Sequence, residues 1–353
     1  MYKPYAMLVT GGAGFIGSNF IRYLLHQQSD IKIVNLDKLT YAGSLKNLQS
    51  LPSVHRYSFI QGDINDRKLV SHILKKYHID TIVHFAAESH VDRSIDKPSI
   101  FIETNIMGTF NLLEAAREHW LCRENKKMNE CRFHHVSTDE VYGTLGTEDF
   151  AFTETTPYQP RSPYSASKAS SDHLVLSYYH TYGLPVSLSN CSNNYGPYQH
   201  TEKFIPTIIL ACLTKNKIPI YGNGKNIRDW LYVEDHCRGI LQILKRSKAG
   251  EKYNLGANNE WDNVSLVNYI CDLMEEFIPC ESSYKNLIEF VPDRKGHDFR
   301  YALDSKKIQQ ELDWVSENSF ANGLKKTIEF YMTLFSNESR LWKGNKSASP
   351  VPD

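Results

Sequence analysis

The chain has 353 residues, enough for one large domain or two unequal ones with a sizeable core. Its 40 basic and 40 acidic residues cancel, which argues against a protein that binds nucleic acid or an anionic membrane through its overall charge. The seven cysteines contain no C-x-x-C pair, so we expect reduced thiols and no metal site. No apolar run resembles a signal peptide or a membrane span, and we predict a cytoplasmic protein.

The amino terminus combines a strand, a glycine turn and a helix. Ala6–Thr10 is a short apolar strand, followed by Gly11, Gly14 and Gly17 and a helical pattern to about Leu25. Glycines at this spacing allow a tight turn, close approach of the backbone to a pyrophosphate and close packing of the helix, whose N-terminus faces the phosphates. The segment therefore predicts a dinucleotide site.

Acidic residues follow the next two predicted strands. Asp37 ends the strand Lys32–Leu36, about twenty residues after the last glycine, where such folds place an acid on the adenosine ribose. A carboxylate there accepts from a 2′-hydroxyl and repels a 2′-phosphate, which favours NAD over NADP, although Lys38 stands beside it. Asp63, near the end of the strand Tyr57–Ile64, either meets the adenine amino group or caps a helix.

The alternation of strands and helices continues beyond this point. Ile79–Ala87 is a fourth strand, and the dense polar segment Glu88–Ser94 follows its end. Residues Thr104–Glu118 then form a helix with a broad apolar face, buried by the sheet and by a partner subunit. This order predicts an α/β fold with a doubly wound parallel sheet. Residues 121–130 read as a charged loop without an assigned role.

The central motif is His135–Gly143, read together with Tyr164–Lys168. A buried strand containing Val136 runs into a hydroxyl and two adjacent carboxylates, as expected where a parallel strand delivers side chains to a cleft. Tyr164 and Lys168 share one face of a helix, so we expect the ammonium to favour the phenolate, a proton acceptor. Alternatively, the tyrosine and lysine form a common surface pair and the carboxylates a solvated turn.

The glycine turn, Asp37 and Tyr164-x-x-x-Lys168 occur in the order typical of one family. The chain resembles the extended short-chain dehydrogenase/reductases, and within them the bacterial rhamnose-pathway dehydratases that act on dTDP-glucose. The closer similarity extends from Met7 to about Trp314 and rests on five motifs, Asp37–Gly43, Ala86–Ser94, Ser137–Gly143, Asn190–Pro197 and Arg228–Val233.

The resemblance implies a Rossmann domain that binds NAD, a smaller α/β domain that binds the nucleotide sugar, and a division of catalytic roles. Tyr164 takes the proton of the C4 hydroxyl during oxidation, assisted by Lys168 and Thr138. Glu140 removes the C5 proton, Asp139 protonates the departing C6 hydroxyl, and the hydride returns to C6. Adjacent carboxylates can divide these roles if their environments separate their pKa values.

The resemblance also implies two sets of binding residues. Those for the cofactor are Gly11, Gly14, Phe15, Ile16, Gly17, Asp37, Lys38, Leu39, Thr40, Asp63, Ile64, Phe85, Ala86, Ala87, Ser89, Thr104, Tyr164, Lys168 and Asn194. Those for the substrate are Ser89, Thr138, Asn193, Lys203, Phe204, Pro219, Tyr221, Arg228, Asn259, Arg294 and His297. The two arginines suit a diphosphate because a guanidinium offers a planar fork of donors.

The later half of the chain predicts a change of domain. We assign residues 1–190 and about 229–258 to the NAD-binding domain, about 191–228 and 259–340 to the nucleotide-sugar domain, and 341–353 to a flexible tail. Segments 265–277 and 305–312 read as helices of the smaller domain. The helices Thr104–Glu118 and Tyr164–Tyr182 are expected to pair with their copies as a four-helix bundle in a homodimer.

Three alternatives remain open at this point. A nucleotide-sugar 4-epimerase needs Tyr164, Lys168 and NAD but has no use for the acid–base pair at 139 and 140. A 4,6-dehydratase for another nucleotide-glucose would share most of the motifs. A non-catalytic NAD-binding sensor or scaffold would need none of the five residues that the resemblance places in catalysis.

Overall fold

A computed structural model of the chain describes residues 1–124, 126–293 and 296–344. Its strands, in chain order, are β1 Ala6–Thr10, β2 Lys32–Asp37, β3 Tyr57–Gln61, β4 Thr81–His84, β5 Arg132–Thr138, β6 Val186–Cys191, β7 Asn193–Tyr195, β8 Ile218–Tyr221, β9 Ile227–Tyr232, β10 Lys252–Leu255, β11 Glu260–Asp262 and β12 Ile288–Val291. The α-helices are α1 Phe15–Gln27, α2 Arg67–Lys76, α3 Val91–Asp96, α4 Pro98–Phe101, α5 Gly108–Ala116, α6 Pro163–Tyr182, α7 Phe204–Thr214, α8 Val233–Arg246, α9 Asn263–Phe277, α10 Lys306–Leu312 and α11 Phe320–Gly344.

Seven parallel strands form the central sheet in the order β10-β6-β5-β4-β1-β2-β3. The chain winds one way from β1 through β2 to β3 and the other way from β4 outward, so the strand order reverses between β1 and β4. In such sheets, ligands bind outside the carboxyl ends of the strands at this reversal. The predicted α/β class with a doubly wound parallel sheet is confirmed.

Separate apolar clusters cover the two faces of the large sheet. One contains Met7, Val9 and Val83 with residues of α1 and α8, and the other contains Leu8, Ile82 and Phe133 with residues of α2, α5 and α6. Neighbouring residues of one strand point to opposite faces, which is why a strand covered on both sides is apolar throughout.

A smaller unit has its own core, which is formed by buried side chains of β9, α7, α9 and α11. It holds a three-stranded sheet in the order β11-β9-β7 and a parallel pair of β8 with β12. Helix α10 differs from our expectation. Its buried Ile308 and Leu312 join the cluster beneath the large sheet, because α10 packs on β10 and α8.

Several predicted boundaries need correction. The third strand ends at Gln61, and the carboxylate that caps α2 belongs to Asp66 and not to Asp63. The fourth strand covers only Thr81–His84. The helix expected over 104–118 is part of one helical run from 98 to 123, because the π-helical segments Ile102–Met107 and Arg117–Arg123 extend α5 at both ends.

The carboxyl terminus also departs from the prediction. Helix α11 continues to Gly344, beyond the expected start of a tail at 341, and the rest of that tail, 345–353, lies outside the described residues. None of the described helices combines the length and the apolar character needed to cross a membrane.

Candidate active site

A cleft of about 490 Å³ lies at the carboxyl ends of the central strands. Its walls come from the turn after β1, the segments after β2, β3, β4 and β5, the start of α6, and the chain that leaves β6. The smaller unit closes one side through Gln199, His200 and Lys203. The cleft therefore occupies the position that the reversal of strand order predicts.

The glycine turn at the floor of the cleft could not be built from other residues. Gly11 has a φ of +70°, and a Cβ there would lie 2.6 Å from the backbone nitrogen of Ala86. A Cβ at Gly17 would lie 2.4 Å from the Gly11 carbonyl oxygen, so the helix could not pack against the turn. Gly14 precedes α1 without any side-chain cap, which leaves the N-terminus of α1 facing the cleft.

Two carboxylates mark the far end of the cleft. Asp37 is held in place by backbone donors, since its two oxygens accept from the N–H groups of Ala13 and Leu39, each at 2.8 Å. Asp63 forms an ion pair with Lys38, with 2.7 Å between Oδ2 and Nζ. The ammonium of Lys38, the residue next to Asp37, is thus already paired with the carboxylate of Asp63.

The segment after β4 is tied to the helix that carries the tyrosine. The buried side chain of Asn105 accepts from the Glu88 N–H at 2.8 Å and donates to the Glu88 carbonyl at 3.0 Å. It also donates to the Ser167 hydroxyl at 2.8 Å. These bonds fix the backbone on which Ser89 is presented to the cleft.

The end of β5 delivers three functional side chains. The Thr138 hydroxyl accepts from the Glu140 N–H at 3.3 Å and donates to Oδ1 of Asp139 at 3.2 Å. Asp139 is almost fully buried, whereas Glu140 is half-buried. Burial, and after it the charge of Glu140, raise the pKa of Asp139 well above the ordinary range of a carboxyl group.

Tyr164 and Lys168 both line the cleft from α6, as predicted. The expectation that the ammonium favours the phenolate is wrong for this structure. Burial first, and then the charge of Glu140, raise the pKa of Tyr164, while the Thr138 hydroxyl lowers it. The Lys168 ammonium instead donates to the Val136 carbonyl at 2.8 Å. The phenol is therefore protonated in the protein alone.

The structure brings most of the predicted site residues to this one cleft. All the predicted catalytic residues line it, and so do all the predicted cofactor residues except Leu39, which packs against the apolar core. Among the predicted substrate residues, the cleft includes Ser89, Thr138, Asn193 and Lys203.

The other predicted substrate residues that the structure describes lie outside the lining of this cleft. Pro219 and Tyr221 point outward from β8, and Phe204 stacks on Trp230 with 6.3 Å between ring centroids. The guanidinium of Arg228 donates to the carbonyls of 227, 298 and 299. The side chain of Asn259 accepts from the indole of Trp261, and His297 contacts Asp293 at 2.7 Å. Arg294 lies outside the described residues.

Sequence reasoning missed part of the lining. The chain leaving β6 contributes Cys191 and Ser192, and the loop before α7 contributes Gln199 and His200. Cys191 and Ser192 could have been found from their position at the end of a strand of the sheet, next to the predicted residues Asn193 and Asn194. Glu88 also lines the cleft. It was not among the predicted site residues, although it belongs to the polar segment Glu88–Ser94 that the sequence analysis noted.

The fold and the site define an extended short-chain dehydrogenase/reductase: a doubly wound sheet, a glycine turn, and a Tyr-x-x-x-Lys helix beside the end of β5. Residues 8–327 match the family model described as GDP-mannose 4,6 dehydratase, and the chain belongs to that family.

Individual relatives refine this assignment. The chain is 52% identical to dTDP-glucose 4,6-dehydratase from Shigella flexneri over 92% of each chain. Its structure is similar to that of DesIV, a dTDP-glucose 4,6-dehydratase from Streptomyces venezuelae solved with NAD bound, at a TM-score of 0.85, 43% identity and coverage of 96% and 98%. A UDP-glucose 4-epimerase from Thermotoga maritima is similar at a TM-score of 0.81 but only 27% identity, with coverage of 94% and 99%.

Proposed function

We propose that the protein converts dTDP-glucose to dTDP-4-keto-6-deoxy-glucose, with NAD as a recycled cofactor. One observation carries the proposal: a buried carboxyl group whose pKa is raised well above its ordinary range and a second, less buried carboxyl follow each other at the end of β5, beside the Tyr164 helix. Such a pair suits an elimination, which needs an acid and a base. The named activity of the relatives at 52% and 43% identity supports the same conclusion.

The cleft fits NAD on its own features. The open N-terminus of α1 and the absent side chain of Gly14 leave room and donors for a pyrophosphate. Asp37 suits a ribose hydroxyl, and the pairing of Lys38 with Asp63 removes a cation that could otherwise attract a 2′-phosphate. When bound, NAD supplies the hydride acceptor and donor for the reaction.

Tyr164 is the base that we propose for the C4 hydroxyl. Its phenol must first lose its own proton, and the positive charge of bound NAD would favour that ionisation. Its phenol is in hydrogen-bond contact with the Thr138 hydroxyl, which lowers its pKa against the larger effects of burial and of Glu140. Lys168 sits one turn later on the same face of α6, fixed by the Val136 carbonyl. Thr138 and Lys168 thus orient the group that receives the proton.

Asp139 and Glu140 divide the elimination between them. Because burial raises its pKa and so favours the protonated form, Asp139 is suited to donate a proton to the hydroxyl that departs from C6. Glu140 is half-buried and can take the proton from C5, which is acidified by the neighbouring ketone. A closed cleft then protects the unsaturated sugar from water.

The substrate and the nucleotide are tested by one assay. The protein is incubated in parallel with dTDP-glucose and UDP-glucose without added NADH, and the alkaline ultraviolet absorbance of the 4-keto-6-deoxy product is followed. We expect product from dTDP-glucose at the higher kcat/KM. Preferential turnover of UDP-glucose would reassign the nucleotide, and formation of UDP-galactose would make the protein an epimerase.

Two units share the substrate in this proposal. The unit around the large sheet binds the cofactor, and the smaller unit binds the nucleotide through the predicted residues Phe204, Pro219, Tyr221, Arg228 and Asn259, with His297 and Arg294. The outward-facing Pro219 and Tyr221 on β8 support contacts with a base, because the alternate residues of that strand are buried in the core.

We also propose a homodimer built through a four-helix bundle. Large apolar side chains are exposed on the helical stretch that packs against α6, namely Ile95, Ile102 and Met107. A second copy of the chain would cover this patch. Sedimentation should give a dimer for the native chain and for Phe150→Asp, an exposed apolar site elsewhere, but a monomer for Ile102→Asp. A native monomer at micromolar concentration would exclude the dimer.

The compartment that we propose is the cytoplasm. The thiols of Cys212 and Cys271 lie in hydrogen-bond contact, and both are free. Thiols in contact persist unoxidised in a reducing compartment. Mass spectrometry of freshly isolated protein after alkylation should find both labelled, and a bridged pair would contradict this assignment.

A further inference from the structure

Asp172 is a fully buried carboxylate one turn after Lys168 on α6, and the reaction as described assigns it no role. We propose that Asp172 is a positioning residue whose negative charge holds the Lys168 ammonium, and through it the Tyr164 site, in working order. This inference rests on the proposed function, since the use of Lys168 does.

Three donors converge on one oxygen of Asp172. The hydroxyls of Ser137 and Tyr158 donate to Oδ2 at 2.9 Å each, and the amide of Asn190 donates to it at 3.2 Å. Burial raises the pKa of Asp172, while Lys168 and these three hydrogen bonds lower it and so favour the ionised form. The negative charge that we propose for Asp172 therefore depends on these contacts.

The other oxygen of Asp172 lies beside His135, which also contacts Lys168. Among the residues that the structure describes, Oδ1 of Asp172 has no hydrogen-bond partner, and it lies 3.3 Å from Nε2 of His135. The same Nε2 lies 3.4 Å from Nζ of Lys168. One nitrogen of His135 thus contacts both the carboxylate and the ammonium, and burial keeps the imidazole neutral.

The charge balance around Lys168 depends on Asp172. Burial lowers the pKa of Lys168, and Asp172 is the main group that raises it. Burial also keeps the neighbouring imidazoles and the neighbouring thiol uncharged, so none of them replaces a carboxylate. The titratable groups that face Lys168 are Tyr164 and Asp172 from α6, His135 from β5, Cys191 from β6 and His84 from β4.

A purely structural role makes a different prediction. Asn190 donates both to Asp172 and to the Thr138 carbonyl, the latter at 3.0 Å, so the carboxylate also supports the end of β5. If this support were its whole contribution, removal of the charge would lower stability and leave the titration of Lys168 unmoved. Tyr158→Phe is the matched control, because it deletes one hydrogen bond to Asp172 and keeps the charge.

The experiment follows Lys168 directly. The protein is labelled with [ε-¹³C]lysine, the Lys168 signal is assigned from its loss in Lys168→Arg, and its chemical shift is titrated with pH. In Asp172→Asn the signal should titrate at lower pH than in the native chain, whereas Tyr158→Phe should titrate as the native chain does. Asp172→Ser, also neutral, provides the same test if the asparagine variant does not fold. Unchanged titration in the neutral variants overturns the proposal.

Kinetics add a second readout. For dTDP-glucose, kcat of Asp172→Asn should fall about tenfold or more, with the alkaline limb of its pH profile moved to lower pH and KM little changed. A native protein that makes no product from dTDP-glucose would end the proposed function, yet the lysine titration would still decide the role of Asp172.

Discussion

The Thr138 hydroxyl lies 3.2 Å from Oδ1 of Asp139, while Oδ2 of the same carboxyl is buried and, within the described part of the chain, has no hydrogen-bond partner. A buried oxygen without a partner costs stability unless the group is neutral or a ligand completes it. Burial and the adjacent Glu140 raise the pKa of Asp139, which resolves this cost by retaining the proton. This proton is the one that Asp139 would donate in the elimination that we propose.

Asp139 should make the protein less stable as the pH rises. Its pKa is raised in the folded state, so between the ordinary value of 3.8 and the folded value the unfolded chain has released a proton that the folded chain keeps. Asp139→Asn removes this dependence. We expect urea denaturation to show a larger free energy of unfolding for Asp139→Asn than for the native chain at neutral pH, with the difference shrinking toward pH 3.8.

The control for this pH dependence is Asp30→Asn, which changes a carboxyl that is 63% exposed. It provides the reference for a change from Asp to Asn at an exposed position. If the difference between Asp139→Asn and the native chain did not change with pH, Asp139 would not retain a proton that the unfolded chain releases.

The same substitution separates the two halves of the reaction. Asn keeps the shape of Asp139 but cannot donate a carboxyl proton, so formation of the 4-keto-6-deoxy product should fall by about 10²- to 10⁴-fold. Oxidation at C4 depends on Tyr164 and should persist. In a single turnover, reduced nicotinamide should therefore accumulate, visible by its near-ultraviolet absorbance. Product formation at the native rate would remove Asp139 from the role of acid.

Glu140→Gln distinguishes elimination from epimerisation. As the proposed base for C5, Glu140 is needed for loss of water but not for a redox change at C4. The variant should bind NAD with native affinity, form no 4-keto-6-deoxy product, and no longer exchange the C5 hydrogen with deuterated solvent. Mass spectrometry of the recovered sugar measures the exchange, and a fully active variant would favour an epimerase.

The Lys38–Asp63 ion pair should contribute to cofactor choice. In Asp63→Asn the Lys38 ammonium loses its partner at 2.7 Å and becomes available to a 2′-phosphate. Because exposed pairs contribute up to about 1 kcal/mol, we expect the ratio of NADP to NAD affinity to rise by a factor of about two to five. Fluorescence titration with both cofactors measures the ratio. In a Lys38→Met background the effect should vanish, and persistence there would place its origin elsewhere.

Local patterns in the sequence predicted much of the cofactor side of the site. The strand Ala6–Thr10, the glycine turn and the start of α1 depend on backbone sterics and helix periodicity, which neighbouring residues determine. The acids at 139 and 140 were found because polar residues directly follow a buried strand. The same rule applied after β6 would have identified Ser192, which lines the cleft.

What the sequence could not supply depends on the tertiary arrangement. The prediction of a phenolate at Tyr164 was wrong because helical spacing says nothing about burial. It also says nothing about Glu140, whose charge raises the pKa of the phenol. Strands β8 and β12 have four residues each and pair across about 70 positions, so no local pattern predicts their register. Helix α11 was missed although Leu324, Ile328 and Tyr331 show helical spacing and are buried.

The N-terminal cap of α6 should affect both stability and catalysis, because this helix carries Tyr164. Ser162 accepts from the Ser165 N–H at 3.1 Å, and the Ser165 hydroxyl accepts from the Ser162 N–H at 3.0 Å. Ser162→Ala should lower the free energy of unfolding by about 1 kcal/mol. Since the lost bond is two residues from Tyr164, kcat for dTDP-glucose should also fall several-fold, about 1 kcal/mol in activation free energy.

The opposite end of α6 offers a control of equal size. Gly183 has a φ of +69°, and no atom of the described residues lies within 4 Å of an added Cβ, so Gly183→Ala costs about 1 kcal/mol through backbone strain alone. Both variants should shift the urea midpoint alike, but only Ser162→Ala should change kcat, because only its end of the helix reaches the cleft. Equal kcat values in the two variants would mean that the cap stabilises α6 without positioning the phenol.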